Sequence, residues 1–189
     1  MRIIPKVLTS TWWGNIFLGF LAAVVFYYVF LAGVLSTDTP VVAVVSGSME
    51  HKNPEATHYQ WLEKNMGYNE SYIESWPVPD GFSVGDMPIV SGGTPLAGFF
   101  SFIGDGDKDQ EKYEIGDVIV YSVPGVNAPI IHRIVKINDD GTYQTKGDNN
   151  SGQLNYESSV TPGQVKGKVI FIIPKIGYFK VLTNRLFGV

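Results

Sequence analysis

The feature that most restricts this chain is an uncharged run, GNIFLGFLAAVVFYYVFLAGVL, over residues 14–35. Its 22 residues, rising about 1.5 Å each as a helix, are long enough to cross a hydrocarbon core of about 30 Å. A cleavable signal peptide has a shorter apolar region, about 7–15 residues, followed by a small-residue cleavage site, and no clear site of that kind follows here. The run is therefore expected to be a single transmembrane helix in the cell membrane. Arg2 and Lys6 precede it without an acidic partner and the charge beyond it is net negative, which places residues 1–13 in the cytoplasm. Trp12 and Trp13 suit the interfacial aromatic belt. Residues 37–189 are then expected to form one extracytoplasmic domain.

Composition excludes several functions for that domain. A net charge of −4, with 14 basic against 18 acidic residues and no basic run, leaves no electrostatic footprint for nucleic acid. The absence of cysteine removes thiol nucleophiles, disulfides and thiolate metal sites, so covalent chemistry must use an oxygen nucleophile. No cofactor and no metal site is expected. The acidic stretch GDGDKDQEKYE places Asp105, Asp107, Asp109 and Glu111 at alternate positions, but lacks the glycine and glutamate that a calcium loop requires.

Beyond the anchor, β-branched runs broken by glycine and proline predict a mainly β domain. PVVAVVSGS, YEIGDVIVY, APIIHRIVKI and VKGKVIFIIPKIG read as strands, with a hairpin around Asp139, Asp140 and Gly141. Residues 51–112 read as a partly helical insertion: NPEATHYQWLEKNMG has an N-cap, an early proline and a glycine just past its end. Within it FSVGDMPIV echoes the later YEIGDVIVY, as two strands entered through similar turns would. Apolar residues at near-helical spacing over 176–187 suit either an interfacial helix or a helix closing the core.

Ser48, His132 and Asp148 each have an ordinary structural use: Ser-Gly-Ser is a turn sequence, a lone strand histidine is usually structural, and a turn aspartate bonds its own backbone. Their order changes the reading. SGSME shortly after a membrane segment, then GDVIVY, HRI and KGDNN, resembles the type I signal peptidases over residues 14–50 and 113–176. Histidine where bacterial members have lysine makes the chain similar to the archaeal and eukaryotic endoplasmic-reticulum branch.

The resemblance implies a signal-peptidase-like β domain and a membrane-bound serine endopeptidase that removes signal peptides from exported preproteins, cleaving after small residues at −1 and −3. Preproteins, the lipid bilayer and accessory membrane subunits are the implied partners. Ser48 would be the nucleophile, His132 its base and Asp148 the acid that orients the imidazole. Ser46 would donate its hydroxyl to the oxyanion, Gly47 would let the chain turn so that the Ser48 N–H faces the same charge, and Met49 would belong to the same substrate-binding wall. Residues 41–45 would pair with an extended substrate by strand addition.

Two departures bear on the site. His51, Lys52 and Asn53 intervene before Pro54, where the family commonly has proline directly after SGSME. Leu154 stands where many relatives carry a second aspartate, so Glu157, the next carboxylate, competes with Asp148 for the third role; the shorter tether favours Asp148. A specialised processing peptidase for one secreted or surface-layer protein, and a catalytically silent membrane-anchored binding subunit, are the alternative functions. Serine, histidine and aspartate together argue against the silent one.

Overall fold

A computed structural model of the chain describes residues 12–27, 32–93 and 113–178. The acidic loop at 105–111 and residues 179–189 of the C-terminal segment lie outside the described residues. The uncharged run is helical over Trp12–Val25 and again over Ala32–Leu35. No helix among the described residues is long and apolar enough to cross a membrane. The single helix expected over 14–35 is thus present as two described pieces, with residues 28–31 outside the described set. The first piece leaves large apolar side chains in the open, Phe20 at 67% and Phe17 at 55% exposure among them.

The rest is mainly β, as its β-branched runs predict. Five strands, β1 (Met87–Ser91), β2 (Val118–Tyr121), β3 (Ile130–Ile137), β4 (Tyr143–Lys146) and β5 (Val165–Ile173), form one sheet in the order β1-β5-β2-β3-β4, with every neighbouring pair antiparallel. Central β2 is buried along its whole length. Its alternate residues serve opposite faces: Val118 packs with Val44, Met49, Phe82 and Val169, whereas Ile119 and Tyr121 pack with Tyr113, Ile134, Tyr143 and Val160. β3, in register with β2 through Ile119 and His132, therefore presents His132 and Arg133 to opposite sides of the sheet.

Local chemistry explains the turns. The two Gly-Asp echoes have the same construction: Gly85 and Gly116 take φ of 89° and 98°, and Asp86 and Asp117 each accept a backbone N–H from three residues earlier, at 2.8 and 3.0 Å. Each turn feeds a strand, β1 and β2 respectively. The predicted β3–β4 hairpin closes on Ile137 opposite Tyr143, with Asp140 accepting the Thr142 N–H at 2.9 Å and Gly141 at φ 80°.

Two expectations need correction. Residues 41–45 are not a regular strand of the sheet: Val41 bridges Ile89, Val42 and Val44 donate to Pro88 and Asp86, and Pro40 and Val44 accept from Val90 and Gly85, so the segment runs along β1 with its ladder interrupted at Pro88, which has no N–H to return. The insertion helix has no side-chain cap: Pro54 with helical dihedrals stands at its start, it opens as a π turn over Glu55–Tyr59, continues as α-helix over Gln60–Met66, and ends at Gly67 with φ 75°. A second short helix, Glu70–Glu74, is capped by Asn69, whose side chain accepts the Tyr72 N–H at 2.9 Å. Leu62, Ile73 and Trp76 from this insertion bury themselves on Val135 of β3.

Gly116 joins the insertion to the sheet. A Cβ there would stand 2.5 Å from the Trp76 ring, on a left-handed backbone. Gly116→Ala is expected to lower stability by more than about 2 kcal/mol, combining backbone strain with overpacking. Gly141→Ala, at φ 80° but facing open space, should cost only about 1 kcal/mol. Thermal or denaturant unfolding of the two variants measures the difference.

Candidate active site

Ser48 sits in a tight turn beyond residues 41–45, in which the Glu50 N–H bonds the Gly47 carbonyl at 3.2 Å. Gly47 is not left-handed. Its lack of a side chain instead makes room for Glu50, whose Oε2 would stand 3.0 Å from a Cβ. The Ser48 loop is tied to the KGDNN loop twice: Asn149 donates its backbone N–H to the Ser48 carbonyl at 2.8 Å and its amide to the Gly47 carbonyl at 2.9 Å. The Ser48 N–H has no acceptor among the described residues, and the Ser46 and Ser48 hydroxyls lie 3.3 Å apart. Met49 is fully buried in the core while also bordering the cleft.

His132 is buried on β3. Its Nδ1 hydrogen-bonds Oε1 of Glu157, and because a carboxylate only accepts, the imidazole donates from Nδ1, which leaves Nε2 as the nitrogen not engaged by Glu157. Glu157 is fully buried in a 3₁₀ turn, Asn155–Glu157, where its second oxygen accepts the Leu154 N–H at 2.5 Å. A bridge between Val160 and Tyr143 fastens this turn to β4. The Nε2 atom faces the serine loop: a Cβ on Gly147 would lie 2.8 Å from His132 Nε2 and 2.9 Å from the Ser48 carbonyl oxygen. Glycine at 147 thus keeps these two groups near each other.

Ser46, Ser48 and His132 line one cleft of about 520 Å³. Its walls are aliphatic and aromatic, drawn from residues 42–45, Phe82, Ile130, Ile131 and the exposed side chains of Val126, Leu154 and Tyr156. A hydroxyl, a buried imidazole held by a carboxylate, and an open apolar groove are the components of nucleophilic acyl chemistry on an extended chain.

Asp148, expected beside His132, is held elsewhere. Its carboxylate is buried against Arg133, which donates Nε at 3.0 Å and Nη2 at 2.7 Å, and it accepts from His51 Nε2 at 3.0 Å and lies 3.4 Å from His58 Nδ1. Burial opposes its ionisation, but the Arg133 charge and the hydrogen bonds from both histidines outweigh that and keep the carboxyl well below its usual range. Burial pushes His58 down, against the hydrogen bond and charge of Asp148, which pull it up. The remaining Arg133 donors reach the carbonyls of Pro77, Gly116 and Val78 at 2.7–2.8 Å. Sequence reasoning passed over Arg133, although an arginine inside the otherwise apolar PIIHRIVKI was the available signal. Nearby Lys146 is buried too: desolvation lowers it to about 8, with its ammonium bonded to the carbonyls of Thr57 and Gly147.

No family model matches the chain. It is nevertheless similar to proteins named signal peptidase complex catalytic subunit. The protein of that name, SEC11, from Colletotrichum graminicola is 32% identical over 83 residues, 40% of this chain and 48% of that protein. SEC11 from Scheffersomyces stipitis is 33% identical over 90 residues, 42% and 52% respectively. Mouse SEC11C aligns over 173 residues at 27% identity, covering 81% of this chain and 86% of its own. The chain spans about half the length of the first two relatives in these alignments. The likeness to signal peptidases read from the four motifs is therefore shown by homologues, and those homologues are eukaryotic.

Arg133 anchors the whole arrangement beneath the cleft. Arg133→Met should lower stability by about 3–5 kcal/mol, because the buried Asp148 carboxylate loses its cation. The double variant with Asp148→Asn should recover part of that loss, as read by thermal unfolding of the single and double variants.

Proposed function

We propose that this chain is a membrane-anchored serine endopeptidase that removes N-terminal signal peptides from exported preproteins, cutting after small residues at −1 and −3. The observation that carries the reading is the Glu157–His132 pair, with Nε2 beside the Ser48 loop at the wall of an open apolar cleft. The names of the relatives support the same substrate class, and association with further membrane subunits belongs to the proposal.

In the proposed mechanism His132 Nε2 takes the Ser48 proton as Oγ attacks the scissile carbonyl, then delivers it to the leaving amine. Glu157, rather than Asp148, holds the imidazole tautomer and stabilises the imidazolium. The Ser48 N–H and Ser46 hydroxyl stabilise the oxyanion. Water, activated by the same imidazole, then releases the acyl group. The substrate lies along residues 41–45: Val42 and Val44 spend their N–H groups on the β1 side, which leaves those of Ala43 and Val45 for an added strand.

The anchor is proposed to be the uncharged segment over 14–35, supported by its lack of charge and by the exposed apolar surface of Trp12–Val25. With the N-terminus cytoplasmic, residues 37–189 would work on the far side, where a preprotein is still embedded by its signal sequence.

Ser48→Ala should abolish cleavage of a model preprotein and labelling by a serine-reactive phosphonate while leaving thermal stability near wild type. Cleavage persisting in this variant would remove Ser48 from the mechanism, and a wild-type chain that neither cleaves nor labels would be a binding protein instead.

Glu157→Gln should slow single-turnover cleavage by roughly 10³–10⁴-fold, since an amide cannot fix the donor tautomer at Nδ1. Asp148→Asn should act mainly on stability, with the folded fraction retaining most of its rate. A large rate loss confined to Asp148→Asn would return the orienting role to Asp148, and near-normal rates in both would mean a Ser48–His132 dyad.

A further inference from the structure

His51 and His58 belong to the segment that follows SGSME, and the peptidase reading uses neither. Both converge on Asp148. One nitrogen from each imidazole and one carboxylate oxygen gather with no two of the three atoms more than 4.8 Å apart. His51 Nε2 lies 3.0 Å from Oδ2 and His58 Nδ1 lies 3.4 Å from Oδ1, so the two imidazoles approach different oxygens of the one carboxylate, each near the roughly 3.4 Å that separates ligand atoms around a tetrahedral ion with bonds of about 2.1 Å.

The imidazoles are aimed there by packing. His58 is buried, edge-on to Tyr59 and Trp76, and it projects from the π turn over Glu55–Tyr59. Single π turns are rare and recur at functional sites because the widened turn redirects a side chain. His51 lies against Gly81, where a Cβ would come within 2.7 Å of the ring, so only glycine leaves the imidazole its place. Gly81 is left-handed at φ 62° and bridges Glu50, which fixes the backbone beside His51 as well.

We propose that His51, His58 and Asp148 form a binding site for one divalent transition-metal ion of the zinc class. Two imidazoles and one carboxylate make a nitrogen-rich set suited to zinc or cobalt and poorly suited to magnesium or calcium, which prefer all-oxygen shells. Each imidazole would present a ring-nitrogen lone pair to the ion, with any proton carried on the other ring nitrogen, and water would complete the shell.

Arg133 donates to both oxygens of the same carboxylate, Nε to Oδ1 at 3.0 Å and Nη2 to Oδ2 at 2.7 Å, and so fixes its orientation as the hydrogen-bond partners of ligating carboxylates do. Its positive charge also opposes the ion, so the affinity falls below that of closed sites with several anionic ligands. Bound metal would fasten the start of the insertion to the loop that carries Asn149, and through Asn149 to the Ser48 turn.

The test uses the untagged full-length chain in detergent, stripped with chelator and titrated with Zn²⁺ and Co²⁺. One ion per chain is expected, with a cobalt absorption spectrum of a low-coordinate nitrogen and oxygen site and a rise in melting temperature of about 5 °C at saturating zinc. His51→Gln and His58→Gln should each weaken zinc binding at least about 100-fold. His132→Gln should bind zinc like wild type while losing cleavage, which separates this site from the serine centre. Absence of stoichiometric binding, undiminished affinity in His51→Gln, or loss of zinc binding in His132→Gln overturns the proposal. The partly exposed His51 is the variant that decides the matter should His58→Gln fail to fold.

Discussion

The buried pair of Arg133 and Asp148 is the interaction on which the rest of the structure depends. A guanidinium at the middle of β3, fully withdrawn from water, must have every donor satisfied, or its burial would cost several kcal/mol. The chain satisfies it with four partners from three places: the Asp148 carboxylate, the carbonyls of Pro77 and Val78 in the insertion, and the Gly116 carbonyl at the entrance to β2. Four regions distant in sequence are thereby tied together at one point. Trp76 covers the guanidinium from one side, 5.9 Å away, and brings the insertion's own apolar cluster with it.

The sheet transmits that constraint to the cleft. Because neighbouring residues of a strand face opposite ways, fixing Arg133 on one side of β3 fixes His132 on the other. Asp148 plays the same part for its own loop, since Asn149, one residue on, binds the carbonyls of Gly47 and Ser48. The serine loop and the histidine strand are thus each held one residue away from a member of the same ion pair. This economy also accounts for the exchange of carboxylates: an aspartate committed to an arginine and two histidines leaves His132 to Glu157, whose partners are His132 and the Leu154 N–H.

The insertion is more than a surface elaboration. It supplies two carbonyls to Arg133, His51 and His58 to Asp148, the Thr57 carbonyl to Lys146, and a tryptophan and leucine to the core on the far face of β3. The three residues that part SGSME from proline belong to it. The first of them, His51, reaches the KGDNN loop, where its Nε2 meets Asp148 at 3.0 Å.

Much of this was legible in the sequence. β-branched runs, the Gly-Asp turns, the Asp-Asp-Gly hairpin and the glycine after the insertion helix determined the strands and their boundaries, because these signals act within a few residues. The order of the motifs pointed to Ser48 and His132 together, and the fold places both on one cleft. Tertiary structure alone decided which carboxylate meets His132. Chain distance favoured Asp148, but the answer depended on Arg133, on the opposite face of the strand, capturing that carboxylate first. It also decided that the pairing of residues 41–45 with β1 is interrupted at Pro88, and that two histidines of an insertion would share the aspartate of the KGDNN loop. The choice of carboxylate and the sharing of Asp148 are both competitions between partners far apart in the chain for one buried charge, and local pattern carries no record of who wins it.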